Sequence, residues 1–185
     1  MLLLAGLVVG LLAGVATGGR LGNLARLSFR WPWLVLLVLI VREATLFPPL
    51  NGIEGVQYVY AVALTALVMW TIWHVDRVPG IWLVAAGATL NLVAVAVNGA
   101  RMPVAPELAG RLNQTGHLGQ YVLMGSGTNL NWLGDWIGVA GRAGDLIGAY
   151  SPGDVLVAIG IGVVAFFAAR SKLDGTSETS ARIGS

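Results

Sequence analysis

Apolar runs alternate with short polar segments along most of the chain, and each run is close to the roughly 20 residues that an α-helix needs to cross a bilayer. The pattern predicts an all-α, polytopic helical membrane protein with about five transmembrane helices, in one integral domain over residues 1–170. The predicted spans are residues 1–19, 31–47, 56–73, 78–97 and 152–169. The polar tail, 171–185, is expected to be disordered and cytoplasmic.

Proline and glycine punctuate these runs. Pro32 and Pro79 suit the first turn of the second and fourth helices, and Pro48-Pro49 prevents the second helix from continuing beyond Phe47. The fifth helix is predicted to begin at Ser151-Pro152-Gly153-Asp154, with serine as N-cap, proline at the first helical position and an acidic residue three positions on.

The longest segment outside the predicted spans is 98–150, between the fourth and fifth helices. Four apolar residues in it recur at helical spacing, namely Leu130, Leu133, Ile137 and Ala140. The spacing predicts a short helix that lies at the membrane interface or re-enters the bilayer.

Composition supports a membrane protein and excludes several other classes. Of the 185 residues, 56% are hydrophobic and only 11% are charged, which leaves too little polar surface for an ordinary soluble domain. The net charge of +2 gives no signal of nucleic-acid binding. The chain has no cysteine, which excludes disulfides and thiolate metal sites.

Charge sets the predicted orientation. In the five-span layout one side holds most of the Lys and Arg residues, namely Arg20, Arg26, Arg30, Arg77, Arg170, Lys172 and Arg182. The positive-inside rule assigns that side to the cytoplasm, so the N-terminus is predicted outside and the C-terminus inside. Five tryptophans fall at the same predicted interface, namely Trp31, Trp33, Trp70, Trp73 and Trp82. The first run remains open to a second interpretation, a cleaved signal peptide.

A glycine repeat marks one face of the first helix. Gly6, Gly10 and Gly14 recur every four residues, so another backbone can approach closely. Small residues at similar spacing on the fifth helix predict that these two helices pack together. The alternative is that one of them mediates dimerisation.

Two charged residues, Arg42 and Glu43, fall inside the second predicted span, where a charge costs about 2.5 to 3.5 kcal/mol at the centre. Adjacent helical positions point about 100° apart, so the two residues need partners elsewhere. One interpretation is structural anchoring, since the Arg42 side chain can reach the outer headgroups. The other is a polar cavity or ligand contact.

Residues typical of catalytic or metal sites are scattered through the outer segment. His117 and the acidic residues there show no metal-ligand spacing, so we predict no metal site and assign no catalytic residue. The sequence gives no indication of a cofactor.

Three stretches of the chain resemble a known family. They are Asn98-Gly99-Ala100-Arg101-Met102-Pro103-Val104 after the helix that contains Leu90-Asn91, then Leu130 through Asp135, and Ser151-Pro152-Gly153-Asp154-Val155-Leu156. The chain resembles an uncharacterised bacterial membrane protein family, domain of unknown function 5317. The resemblance implies a bacterial plasma membrane protein and brings no activity, substrate or catalytic residue with it.

The same stretches contain the candidate binding residues. Asn91, Asn98, Arg101, Asp135 and Asp154 are predicted to converge at the outer mouth of the bundle and to bind a small solute or lipid headgroup. The competing interpretation is structural: Asn98-Gly99 leaves the helix through a left-handed conformation and Pro103 keeps the residue before it extended, so that the chain turns sharply at the outer surface.

The leading functional hypothesis is a non-enzymatic membrane protein that binds or passes a small solute or lipid, or that serves as a subunit of a membrane assembly. The alternative is a lipid-modifying enzyme at the outer interface, with Asp135 or His117 as acid or base. The expected partners are membrane lipids, and either further copies of the chain or other membrane subunits.

Overall fold

The computed structural model describes residues 1–26, 29–45, 50, 53–109, 120–140 and 146–170, with only the backbone at Arg26, Arg42, Glu43, Ala140, Leu146 and Ile147. The polar tail, 171–185, lies outside the described residues. The fold is mostly helical. Among the described residues, five helices have 13 residues or more: α1 (Leu2–Ala16), α2 (Pro32–Ala44), α3 (Val56–Trp73), α4 (Ile81–Ala96) and α5 (Pro152–Arg170).

The helix starts follow the local sequence signals in two cases out of three. Proline opens α2 at Pro32 and α5 at Pro152, as predicted. The prediction that Pro79 begins α4 is wrong, because Gly80 adopts a left-handed conformation (φ 88°) and serves as the N-cap, so that the helix begins at Ile81. A side chain at Gly80 would lie 2.9 Å from Cβ of Val163, which shows how closely this turn approaches α5.

The helices pack side by side in the order α1, α5, α4, α3, α2. Gly6 faces Ala158 and Gly14 faces Phe166, so α1 and α5 run in the same direction. Helix α4 runs the opposite way, since its Gly87 approaches Gly153 near the start of α5. Helices α3 and α4 are joined by a tight turn at 74–77 and are also antiparallel.

The seam between α1 and α5 is built from backbone. A Cβ added at Gly10 would lie 2.7 Å from Cα of Gly162, and one at Gly14 would lie 2.8 Å from Cβ of Ala169. Real Cβ contacts are longer than this, so any side chain at these positions forces the helices apart. The glycine face of α1 therefore packs within the chain, against α5.

The segment after α4 is not helical throughout, so the all-α prediction needs correction. Strand β1 (Met102–Val104) pairs in parallel with β2 (Tyr121–Leu123), and β3 (Ile137–Ala140) pairs antiparallel with β4 (Leu146–Tyr150). Each pair forms a two-stranded sheet.

The short helix predicted over Leu130 to Ala140 is wrong. Asn131–Leu133 forms a single 3₁₀ turn, and the chain then becomes extended at Gly134 (φ −79°, ψ −174°) and enters β3. Gly134 lies so close to the β1 backbone that its Cβ would be 3.0 Å from Cβ of Pro103. Contacts with β1 therefore override the helical spacing of the apolar residues, which was too short to specify a helix alone.

This segment is fixed to the bundle by an apolar core. Ala94 and Val95 at the end of α4 are completely buried against Met102 and Leu133, together with Leu64 of α3. Gln120 adds a polar contact, since its amide donates a hydrogen bond to the hydroxyl of Thr45 just after α2. The strands and turns after α4 thus cover one end of the helix bundle.

Two of the described helices, α3 and α5, are long and apolar enough to cross a membrane, with hydropathies of 1.5 and 2.0. By the same criterion α1, α4 and the part of α2 from Pro32 to Val41 are apolar but shorter. The length and composition of α3 and α5 indicate association with a membrane. The arrangement of five crossings stays a prediction.

Candidate functional site

A closed hydrogen-bond network joins α4 to the start of α5. The side-chain amide of Asn91 donates to Oδ1 of Asp154 at 2.8 Å, and the hydroxyl of Ser151 donates to Oδ1 of Asn91 at 2.7 Å. We call Asn91, Ser151 and Asp154 the asparagine network. Glycine at position 153 lets the Asn91 side chain approach the start of α5, because a Cβ there would lie 2.7 Å from Cγ of Asn91.

Two members of the network also cap α5. The backbone N–H of Asp154 donates to Oγ of Ser151 at 2.9 Å, and the backbone N–H of Ser151 donates to Oδ2 of Asp154 at 3.2 Å. This reciprocal pair satisfies two backbone donors at the helix start and places a carboxylate near the positive end of the helix dipole. The predicted N-cap at Ser151 is confirmed.

Every side-chain oxygen and nitrogen of the asparagine network has a partner within it. Ser151 is completely buried, and Asn91 and Asp154 are half-buried. The arrangement is therefore a polar fastening between two helices.

A second polar contact holds the turn after α4. The side-chain amide of Asn98 donates to the backbone oxygen of Asn129 at 2.8 Å, and the backbone N–H of Asn129 donates back to Oδ1 of Asn98 at 2.8 Å. Gly99 follows with φ 66°, in the left-handed conformation predicted for it, and Ala100 shares it with φ 63°. The amide of Asn98 thus pairs with the chain in the way a backbone peptide group would.

Asp135 and Arg101 differ in exposure. Asp135 is only 4% exposed, and its backbone is paired with β1: its N–H donates to the oxygen of Pro103 at 2.8 Å, and its oxygen accepts from the N–H of Ala105 at 2.9 Å. Arg101, just before β1, is exposed.

Of the five candidate binding residues, the structure joins Asn91 directly to Asp154, and Asn98 lies about two helical turns further along the chain. A binding site shared by all five stays a prediction.

Several candidate residues fall where the structure describes no side chain. The backbone of Arg42 and Glu43 belongs to α2, but their side chains lie outside the described part, so their two interpretations stand as predicted. His117 also lies outside the described residues. Among the residues that the structure does describe, no three His, Asp or Glu side chains form a group that would hold a metal ion.

A histidine at the opposite end of the bundle was missed by the sequence interpretation. His74, directly after α3, is 1% exposed. Its Nε2 accepts a hydrogen bond from the backbone N–H of Arg30 at 3.0 Å, and its Nδ1 lies 2.7 Å from the backbone oxygen of Trp70. A carbonyl can only accept, so Nδ1 is the donor to Trp70, while Nε2 is the acceptor for Arg30. One side chain thus fastens the start of α2 to the end of α3.

The contact is reciprocal, because the indole N–H of Trp70 donates to the backbone oxygen of Arg30 at 2.7 Å. The rings of Trp70 and His74 are in contact, with centroids 4.2 Å apart and planes tilted by 37°. Their separation of four residues, which brings them to one face of α3, is the signal in the sequence that points to this pair.

Comparison with known protein families identifies a match over most of the chain. The family described as "Family of unknown function (DUF5317)" matches residues 26–166. The chain belongs to this family. The matched region begins before α2 and ends within α5, so it includes the asparagine network, His74 and the strands after α4. No curated protein and no solved structure matches the chain.

Proposed function

We propose that this member of the DUF5317 family is a five-span protein of the bacterial plasma membrane, with its N-terminus outside and its C-terminus in the cytoplasm. It binds or passes a small solute or a lipid, alone or as a subunit of a larger membrane assembly. The distribution of charge between the two ends of the bundle is the observation that carries the proposal.

The directions of the helices support five consecutive crossings. Helices α1 and α5 are parallel and α4 is antiparallel to both, as expected for the first, fifth and fourth spans. Helix α2 begins beside the end of α3, since Arg30 contacts both Trp70 and His74. Each helix therefore runs opposite to the next one in the chain.

The charges are separated between the two ends of the bundle. One end, where α1, α3 and α5 finish and α2 and α4 begin, carries Arg20, Arg30, Arg77 and Arg170 together with the acidic residue Asp76, and we call it the arginine end. The other, where α4 finishes and α5 begins, includes the strands after α4 and we call it the loop end. Among described side chains, the loop end has Arg101 as its arginine and carries Glu54, Glu107, Asp135 and Asp154. The positive-inside rule places the arginine end in the cytoplasm.

The surface between the two ends is apolar. Large hydrophobic side chains are exposed along several helices, including Leu12 of α1 (65%), Ile40 of α2 (65%) and Val62 of α3 (70%). Extended apolar patches of this kind are rare on soluble monomers and are the normal surface of a helix that faces lipid.

The chemistry of the described part of the loop end gives little support to catalysis. The asparagine network is closed upon itself, and the Asp135 carboxylate belongs to a residue that is almost fully buried beside β1. A general acid or base has to be within hydrogen-bond reach of its substrate. The lipid-modifying alternative, with Asp135 or His117, therefore has less support than a binding role.

The absence of cysteine makes the topology directly testable. Gly22 at the arginine end and Gly125 at the loop end are both exposed, and a Cβ added at either meets nothing within 4 Å. Single variants Gly22→Cys and Gly125→Cys therefore form a matched pair. With a membrane-impermeant maleimide on intact bacterial spheroplasts, we expect label on Gly125→Cys, and on Gly22→Cys only after permeabilisation.

Labelling of both variants in intact spheroplasts, or the reverse pattern, would contradict the proposed topology. Native mass spectrometry of gently purified protein tests the binding role separately, since a co-purifying lipid, solute or subunit appears as added mass. A chain that retains none of these would count against the binding role even if the topology holds.

A further inference from the structure

An open apolar groove lies between α2 and α3 at the arginine end. Its volume is about 530 Å³, and its lining is almost entirely apolar. We call it the tryptophan groove, after the residues that line it, which include Trp31, Leu34, Ala66, Met69, Ile72 and Trp73. Its size is within the range of small-molecule sites.

A cation is held beside one wall of this groove. The guanidinium carbon of Arg30 lies 5.6 Å from the centre of the Trp73 ring, a cation–π distance. The backbone of Arg30 is fixed on both sides, by His74 through its N–H and by Trp70 through its oxygen. Among the described residues, no carboxylate forms an ion pair with the exposed Arg30 side chain.

The backbone of Trp31, one of the aromatic residues that line the groove, has an energetically unfavourable conformation. Trp31 has φ 54°, in a region that bulky L-residues rarely adopt. Its ring stacks on Trp33 with centroids 6.0 Å apart and meets the edge of Trp73 at 5.7 Å. All three tryptophans remain about half exposed, so this conformation presents a wide aromatic surface to the surroundings without burying it.

We infer that the tryptophan groove binds an acyl chain of an anionic phospholipid whose phosphate pairs with Arg30. The apolar lining suits the acyl chain, and guanidinium is the side chain best matched to a phosphate. A lipid with no net charge offers Arg30 weaker attraction, and a free phosphate leaves the apolar lining uncovered. The inference rests on the proposed membrane location and adds a ligand class at the end of the bundle opposite to the asparagine network.

Substitution of Arg30 tests the charge. Native mass spectrometry of the purified full chain with dioleoyl phosphatidylglycerol or dioleoyl phosphatidylcholine measures occupancy by each lipid. We expect a preference of about tenfold for the anionic lipid, the size of one charge-assisted contact. Arg30→Gln should abolish the preference while leaving the backbone hydrogen bonds at Arg30 in place.

Arg170→Gln is the matched control. Arg170 also lies at the arginine end, with its guanidinium carbon 5.3 Å from the centre of the Phe166 ring, but Phe166 does not line the groove, whereas Trp73 beside Arg30 does. The Arg170→Gln substitution removes the same charge and should leave the preference for the anionic lipid unchanged. An equal loss in both variants would overturn the inference, because the general charge of this end would then explain the selectivity.

A second pair of variants tests the groove itself. Ala66→Phe fills the groove from α3, whereas Val62→Phe adds a ring to the same helix at an exposed position that does not line the groove. We expect Ala66→Phe to lower phosphatidylglycerol occupancy about tenfold and Val62→Phe to leave it unchanged. The melting temperature of each variant checks that the chain still folds.

The failure of this inference is distinguishable from failure of the proposed topology. If the cysteine labels report the proposed orientation and Arg30→Gln keeps the full preference, the lipid site alone is wrong. If the label pattern fails and the preference depends on Arg30, the topology alone is wrong. A dimer mass that disappears in Ala66→Phe, with no lipid preference, would assign the groove to a second copy of the chain and overturn the inference.

Discussion

The two ends of the bundle satisfy their polar groups in opposite ways. At the loop end, side chains bond to one another across helices, so that Asn91, Ser151 and Asp154 are hydrogen-bonded partners of one another. At the arginine end, His74 and Trp70 bond to the backbone of Arg30 and leave its cationic side chain exposed. The loop end is therefore held together by hydrogen bonds between polar side chains. The arginine end is held together by hydrogen bonds to the Arg30 backbone, so the Arg30 guanidinium stays available to a ligand.

The seam between α1 and α5 extends between the two ends of the bundle, so we expect its disruption to have the largest effect on stability. Gly10→Leu places a branched side chain where even a Cβ would lie 2.7 Å from the Gly162 backbone. We expect destabilisation of about 3 kcal/mol or more, because rigid backbone has to move. Thermal unfolding in detergent measures it. Val9→Leu, on an exposed face of the same helix, is the control, and equal melting temperatures for the two variants would refute the seam.

At the loop end, Asp154→Ala should destabilise the protein by about 2 to 3 kcal/mol. The substitution removes the acceptor of the Ser151 N–H and the partner of Asn91, which combines the loss of a helix cap with that of a charged hydrogen bond. Denaturant unfolding followed by circular dichroism provides the measurement. Glu107→Ala, an exposed acidic residue at the same end, should change stability by less than about 0.5 kcal/mol. Similar losses in both would mean that the network is not the stabilising element.

At the arginine end, His74→Phe should cost about 1 to 2 kcal/mol. Phenylalanine keeps the ring against Trp70 but leaves the N–H of Arg30 and the oxygen of Trp70 without their partner. The same unfolding experiment applies, with Asp76→Ala in the exposed part of the turn as control. If His74→Phe loses less stability than Asp154→Ala, the side-chain network at the loop end stabilises the protein more than the backbone contacts at the arginine end. A larger loss in His74→Phe would mean the opposite.

Local signals in the sequence predicted the features that depend on local chemistry. Pro32 and Pro152 open helices because their fixed φ suits a first turn, and Ser151 caps α5 because serine and an acid three residues on satisfy the free N–H groups. The family resemblance is confirmed by the match over residues 26–166.

Features that depend on distant contacts were not accessible in this way. The spacing of Leu130, Leu133 and Ile137 indicates a helix, but the pairing of the Asp135 backbone with Pro103 and Ala105 produces an extended chain there. His74 is important because Arg30, 44 positions earlier, presents an N–H to it, and no pattern around His74 encodes that meeting. The network at Asn91 likewise needs Ser151 and Asp154, some 60 residues away.

The parallel seam of α1 and α5 also has a consequence for biogenesis. Asn23, just after α1, donates a hydrogen bond to the backbone of Ala169, 146 positions later. During synthesis the glycine face of α1 emerges well before α5, the helix against which its Gly6, Gly10 and Gly14 pack. Contacts of such high sequence separation form late and slow folding. Under the proposed topology, α1 is therefore expected to stay in the bilayer with its small-residue face uncovered until α5 is made, and this is the stage at which a chaperone or insertase would protect the nascent protein.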